Sequence, residues 1–128
     1  MNFHWLTIGY IGFIVFVIVA ADMGSLGVVV YWIHSIPYGD KFGHFILVGV
    51  LSFMVNMSLG ATRWQWLGWS VLKGSFIIFI LITLEEFSQL YFPSRHFDMG
   101  DLLSNYLGIL LLGHCAIYLS PTKIQEIN

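Results

Sequence analysis

A chain of 128 residues that is 58% hydrophobic and only 9% charged is not built for water, since soluble domains carry about a quarter charged residues. Its formal charge of −2 offers no basic field to a polyanion, which excludes nucleic acid as a partner. The length fits a single domain over residues 1–128, with the lipid bilayer as its expected solvent.

The first apolar run, Trp5 to Ala21, is uncharged and close to the roughly 20 residues a helix needs to cross the hydrocarbon. Val19-Ala20-Ala21 faintly resembles a signal-peptide cleavage site. No basic segment precedes the run, so it reads as a retained anchor. Residues 23–38 are also apolar but are broken at Gly24, Gly27 and Pro37, and are read as a short interfacial or re-entrant segment. A second span runs from Phe42 to Gly60, interrupted only by His44, Ser52, Asn56 and Ser58. A third, from about Trp66 to Leu84, places Lys73 about two turns inside the membrane. There its stem can snorkel toward Arg63 or, alternatively, its charge can line an ion path. The fourth runs from Leu102 to Leu119. The expected architecture is all-α, a bundle of four transmembrane helices with a short segment after the first. Gly9, Gly12, Gly49, Gly68, Gly74, Gly108 and Gly113 are expected to let helices approach closely. The lone Cys115, in an apolar run, is expected to be a small buried hydrophobe.

Charge is costly beside a bilayer, so its placement is informative. Of the twelve Asp, Glu, Lys and Arg residues, seven fall in two short segments, Asp40-Lys41 and Glu85 to Asp101. Asp40 precedes the second span and Glu86 follows the third. Two crossings return a chain to the side it left, so both segments share one membrane face. Asp40 and His44 stand at i,i+4 and Glu86 and Gln89 at i,i+3, while Asp101, Asn105 and Gly108 form a narrow stripe on the fourth helix. Phe92-Pro93-Ser94-Arg95 supplies a turn. Purely structural work is the competing reading: Asp101 or Asp40 can cap a helix, and Arg95 can tie its loop to Asp98 or Glu86. A short connection needs only one or two such devices, which leaves most of the set for function.

The two segments together resemble the VanZ-like family of membrane proteins. The first is Gly39-Asp40-Lys41-Phe42-Gly43-His44-Phe45, similar to a D-K-x-x-H element. The second holds Glu86 and Gln89, Pro93 and Arg95, Asp98 and Asp101, and Asn105 and Gly108. It is similar to an E-x-x-Q, P-x-R, D-x-x-D and N-x-x-G string. The likeness covers roughly residues 37–113. Glu85 is an added acid outside the pattern, and Gly113 falls one place later than a second helix glycine of the family. The resemblance implies an envelope-associated membrane protein of bacteria. The family takes its name from a protein linked to resistance to the glycopeptide teicoplanin.

Arg63, Lys73 and Lys123 stand toward the end-bearing side and Lys41 and Arg95 on the cluster side. That three-to-two margin favours an extracytoplasmic cluster in the bacterial cytoplasmic membrane, with Trp64, Trp66 and Trp69 at the cytoplasmic interface. The candidate ligand-binding residues are Asp40, Lys41, His44, Glu86, Gln89, Arg95, Asp98, Asp101 and Asn105. Their partner would be a lipid-linked cell-wall precursor, with Arg95 and Lys41 on its phosphate or carboxylate. For a hydrolase or transferase, His44 is the candidate base and Glu86 or Asp101 the acid or water-orienting group. No G-x-S-x-G nucleophile is present. A metal on His44, Glu86, Asp98 and Asp101 is conceivable, but no H-E-x-x-H or clustered Cys/His spacing supports one, and no cofactor is expected. Transport of a small ion or solute is a further alternative, resting chiefly on Lys73. The oligomeric state is left open.

Overall fold

The computed structural model describes residues 3–120 of the chain. Among these, four helical stretches are long and apolar enough to cross a membrane: Phe3–Asp22, Gly39–Ser58, Lys73–Tyr91 and Met99–Leu119. The elements in chain order are α1 (Phe3–Asp22), α2 (Gly27–His34), α3 (Gly39–Ser58), β1 (Arg63–Trp66), β2 (Trp69–Leu72), α4 (Lys73–Ser88), a 3-10 turn (Gln89–Tyr91), α5 (Met99–His114) and α6 (Ala116–Leu119). α1 stops where Gly24 takes a φ of +73°, a left-handed conformation that a side chain would strain. The eight residues of α2 rise only about 12 Å, far less than the hydrocarbon thickness. The segment after the first span is therefore a short helix that does not cross.

α3 and α5 form the centre of the bundle and pack most extensively on each other. Bare backbone makes this possible. A Cβ on Gly108 would strike the Phe45 carbonyl and the backbone of Gly49, and one on Gly49 would meet Gly108 and Leu112. Val48 and Leu51 of α3, Ile78 and Ile82 of α4 and Ile109 of α5 close the apolar core. α1 is tied on by Tyr10, whose hydroxyl donates to the Leu47 carbonyl at 2.8 Å, and by Thr7, 2.7 Å from the Ser58 hydroxyl.

Deep between α3, α4 and α5 lies a closed polar knot. The Asn56 amide donates to the Ser75 hydroxyl at 2.8 Å and to the Gly113 carbonyl at 3.1 Å. Its Oδ1 accepts the Ser75 backbone N–H at 3.0 Å. Asn56 thus satisfies an N–H in the first turn of α4 that has no partner within its own helix. Gly74 and Gly113 leave the room, since a Cβ on either would collide with Asn56 or with Ser52 and Ser75. Gly113 therefore has a packing role despite its displaced position.

Several expectations need correction. The third span does not begin near Trp66. Residues 63–72 form an antiparallel hairpin pairing Arg63 with Leu72 and Trp66 with Trp69, and its turn residues Leu67 and Gly68 both have positive φ. Apolarity alone could not separate the two; alternation of Trp, Val and polar residues around a Gly turn made the strands. Lys73 is consequently the first residue of α4 rather than two turns inside it. Gly9 and Gly12 have nothing within 4 Å of an added Cβ, and Gly68 serves the turn, so none of the three mediates helix approach. Cys115 is exposed, because Gly113 and Ala116 on either side of it turn toward the bundle and leave it facing outward, with its thiol on the Leu111 carbonyl. Lys123 lies outside the described residues.

Candidate functional site

Two crossings by α3 and α4 bring the starts of α3 and α5 and the end of α4 to one face of the bundle, opposite the hairpin. Along α3, Lys41 and His44 sit one turn apart, and along α5 so do Asp101 and Asn105, so the two stripes meet pair by pair. Lys41 Nζ lies 3.5 Å from Asp40 Oδ2, 3.5 Å from Asp98 Oδ2 and 3.6 Å from Asp101 Oδ1. One ammonium is shared among three carboxylates.

The next layer down is a chain of polar groups. His44 Nδ1 lies 3.1 Å from Asn105 Oδ1, and Asn105 Nδ2 donates to Glu86 Oε1 at 3.0 Å. With the amide in this orientation its Oδ1 can only accept, so Nδ1 of His44 carries the proton. Nε2 is then left to face Asp101 Oδ2 at 3.7 Å. Glu86 is completely buried. Its Oε1 also stands 3.4 Å from His44 Nδ1, while its Oε2 has no hydrogen-bond partner.

A third group braces the loop before α5. Arg95 donates to Asp22 Oδ1 at 2.7 Å and to Glu85 Oε1 at 3.3 Å, and the Ser94 hydroxyl donates to the carbonyls of Ala21 and Asp22. The guanidinium therefore pairs with neither Asp98 nor Glu86. Gln89 likewise donates to Glu85, at 3.0 Å, and not to Glu86. Glu85 lay outside the family pattern and Asp22 outside both charged segments, yet these two hold Arg95. Parity would have found Asp22: if residues 23–38 do not cross, the end of α1 shares a face with the start of α3.

Between these groups lies a cavity of about 170 Å³ lined by Asp40, His44, Gln89, Arg95, Asp98 and Asp101, together with Val30, His34, Ser94 and His96. Six of the nine expected binding residues line it. Lys41, Glu86 and Asn105 stand behind, holding those that do. His34, from the last turn of α2, was not foreseen. It reaches the cavity because the short helix folds back over this face.

Asp98 caps α5, its Oδ1 accepting the Gly100 N–H at 2.6 Å. That bond, seconded by Lys41, holds its carboxyl below the usual carboxylate range. A carboxyl whose pKa is lowered by folding stabilises the fold at neutral pH and loses that contribution as pH falls below about 3.8 through its folded value. Asn still caps a helix, so Asp98→Asn isolates the charge. The melting temperatures of the variant and wild type in detergent should differ at neutral pH and converge in acid; parallel curves would show that the Asp98 charge adds nothing.

Asp40, Asp98 and Asp101 each offer an oxygen within 4.8 Å of the others, as a cation site would. Lys41 already stands among them as the protein's own cation. His44 and Glu86 are not part of that trio, so the four-residue metal set conceived from the sequence is not the grouping that forms.

Four membrane-crossing helices with a polar chamber sunk into one end define a polytopic membrane protein with a candidate site at that end. The chain belongs to the VanZ/LLP1 family, which it matches over residues 4–120. No curated protein and no solved structure matches it.

Proposed function

We propose that the cluster face is extracytoplasmic, in the cytoplasmic membrane of a bacterium, and that its cavity binds the polar head of a lipid-linked, cell-wall-related ligand. The observation that carries this reading is a cavity of about 170 Å³ lined by carboxylates, imidazoles, an amide and the Arg95 guanidinium at the end of apolar helices. A headgroup can enter it while the acyl part stays in the bilayer. Five acids, Asp22, Asp40, Glu85, Asp98 and Asp101, hold two bases, Lys41 and Arg95, so both bases are already paired. Of these acids Asp40, Asp98 and Asp101 line the cavity as acceptors, and with Arg95 already paired, hydroxyl or ammonium groups of the ligand fit it better than phosphate alone. Arg95 and Lys41 brace the walls.

The chain purified in native membrane discs should retain such a lipid, seen by mass spectrometry, and His44→Ala should reduce its occupancy about tenfold, the worth of one charge-assisted hydrogen bond. An unchanged lipid complement would end the reading. A teicoplanin-resistance role is one consequence such binding can have, and growth in the antibiotic with and without the chain measures it.

Catalysis is the second reading, favoured by the anchoring of His44 Nδ1 on Asn105, which presents Nε2 toward Asp101 and the cavity as a base. Here His44→Ala would keep the lipid and abolish its turnover. The transport reading lost its main support when Lys73 proved to be the first residue of α4.

A further inference from the structure

At the end of the bundle opposite the cluster, the hairpin has two unlike sides. Alternation along the paired strands puts Trp64, Trp66, Trp69 and Val71 on one side and Arg63, Gln65 and Ser70, with the buried Leu72, on the other. The polar side is self-contained, with Arg63 and Gln65 both donating to the Ser70 hydroxyl, at 3.5 and 3.2 Å. The indole side leans on α4, where Trp64 meets Phe76 edge-on with ring centroids 5.7 Å apart.

Between them is a hollow of about 450 Å³ walled by Trp64, Trp66, Val71 and Phe76, with Gln65 at its edge. Val71 and Phe76 also line a second hollow, of about 320 Å³, together with Phe79, Ile109 and Leu110 of α4 and α5. Two shared residues make the hollows one groove. It starts under the indoles and follows α4 for about 9 Å, from Lys73 to Phe79, at 1.5 Å per residue. Its upper end carries a cation: Lys73 Nζ sits over the Trp64 ring, 5.7 Å from its centroid. No acid occurs between Asp40 and Glu85, so nothing on α3 beyond its first turn, on the hairpin or on most of α4 opposes that charge.

We propose that this groove is a binding site for an anionic phospholipid, with its phosphate on Lys73, its headgroup among the indoles and the top of one acyl chain between α4 and α5. Charge selects the occupant. A zwitterionic lipid can fill the apolar part but presents no net negative charge to the lysine, and a second copy of this face would bring a second Lys73 against the first. Indoles prefer headgroup depth, which places the groove's mouth at the right level.

The full chain carrying Trp5→Phe and Trp32→Phe, so that only the hairpin indoles fluoresce, is placed in phosphatidylcholine vesicles. Phosphatidylglycerol or phosphatidylcholine brominated near the top of its chains is then titrated in. The anionic quencher should act at about fivefold lower mole fraction, the factor expected of one lysine's field at a membrane surface. Lys73→Gln should remove most of that preference and Arg63→Gln, on the other side of the hairpin, little of it. Equal quenching by the two lipids overturns the proposal, and so do two lysine and arginine variants that behave alike. If Lys73→Gln fails to insert, the wild-type preference must still fade at high salt, and a salt-independent preference is equally fatal. Disulfide formation between chains carrying Leu110→Cys, together with unquenched indoles, would show the face covered by another copy and would also reject it.

Discussion

Replacing Gly108 with valine should prevent the chain from accumulating as a folded bundle. An added Cβ there meets the backbone carbonyl of Phe45 and the backbone of Gly49, neither of which can swing aside as a side chain would. α3 and α5 must then separate. Overpacking of this kind costs about 1–3 kcal/mol in ordinary cores, and here the centre of the bundle carries the strain. The loss compounds, because the same two helices hold the His44–Asn105 bond at 3.1 Å and the Lys41 ion pairs, which do not survive an added ångström. Gly108→Ala should lower the melting temperature in detergent by several degrees and Gly108→Val should leave little monodisperse protein. Gly12→Ala is the matched control: nothing lies within 4 Å of its Cβ, so its effect should stay within about 0.5 kcal/mol. If Gly108→Ala and Gly12→Ala prove indistinguishable, the close α3–α5 approach is not what holds the bundle.

That contrast also shows how far the sequence could be read. Hydropathy located all four crossings, because length and apolarity are properties of the run itself. It could not say which glycines face a neighbour, since Gly12 and Gly108 look alike until the helices are rotated into place. It also misplaced the start of the third span. Trp66, Leu67, Trp69, Val71 and Leu72 satisfy a hydropathy window as well as any helix does, and only their alternation about Gly68 betrayed two strands. Lys73 moved from membrane depth to a helix start as a result, and the ion-path argument went with it.

The candidate site was legible in its location and less so in its wiring. Parity alone brought Asp40 and Asp101 to one face, and helical spacing correctly set Asp101, Asn105 and Gly108 on the stripe that meets α3. Partner choice was not legible. Glu85 and Glu86 are adjacent, so they point about 100° apart on the helix; one meets Arg95 and the other is buried against Asn105. Which acid does which depends on the rotation of α4, and a single sequence does not carry that angle. Asp22 was missed for a different reason: it stands alone at the end of α1, outside any charged segment, and is drawn into the site only because α2 does not cross.

Glu86 gives the sharpest separation between architecture and chemistry. It is fully buried, accepts the Asn105 amide at 3.0 Å and stands 3.4 Å from His44. Glu86→Ala strands the Asn105 N–H, at a cost of about 1–3 kcal/mol, and opens a cavity that adds to it. The protein should therefore fail to accumulate. Glu86→Gln keeps the volume and an oxygen for Asn105, so it should insert and melt within about 1 kcal/mol of wild type, on the scale of one neutral hydrogen bond. What it removes is the ionisable carboxyl beside His44. The glutamine variant should thus be folded but lose lipid retention, or turnover under the catalytic reading. The pair Glu86→Leu with Asn105→Leu should be less damaging than Glu86→Ala alone, because neither of these two buried groups is left unsatisfied and the His44 Nδ1 that loses Asn105 stands beside the open cavity. Folded yield, melting temperature and bound lipid, measured on all three variants, decide the matter. Should the glutamine variant keep its lipid and activity while the alanine variant is lost, Glu86 is a strut of the bundle and the site's chemistry lies with His44 and Asp101 alone.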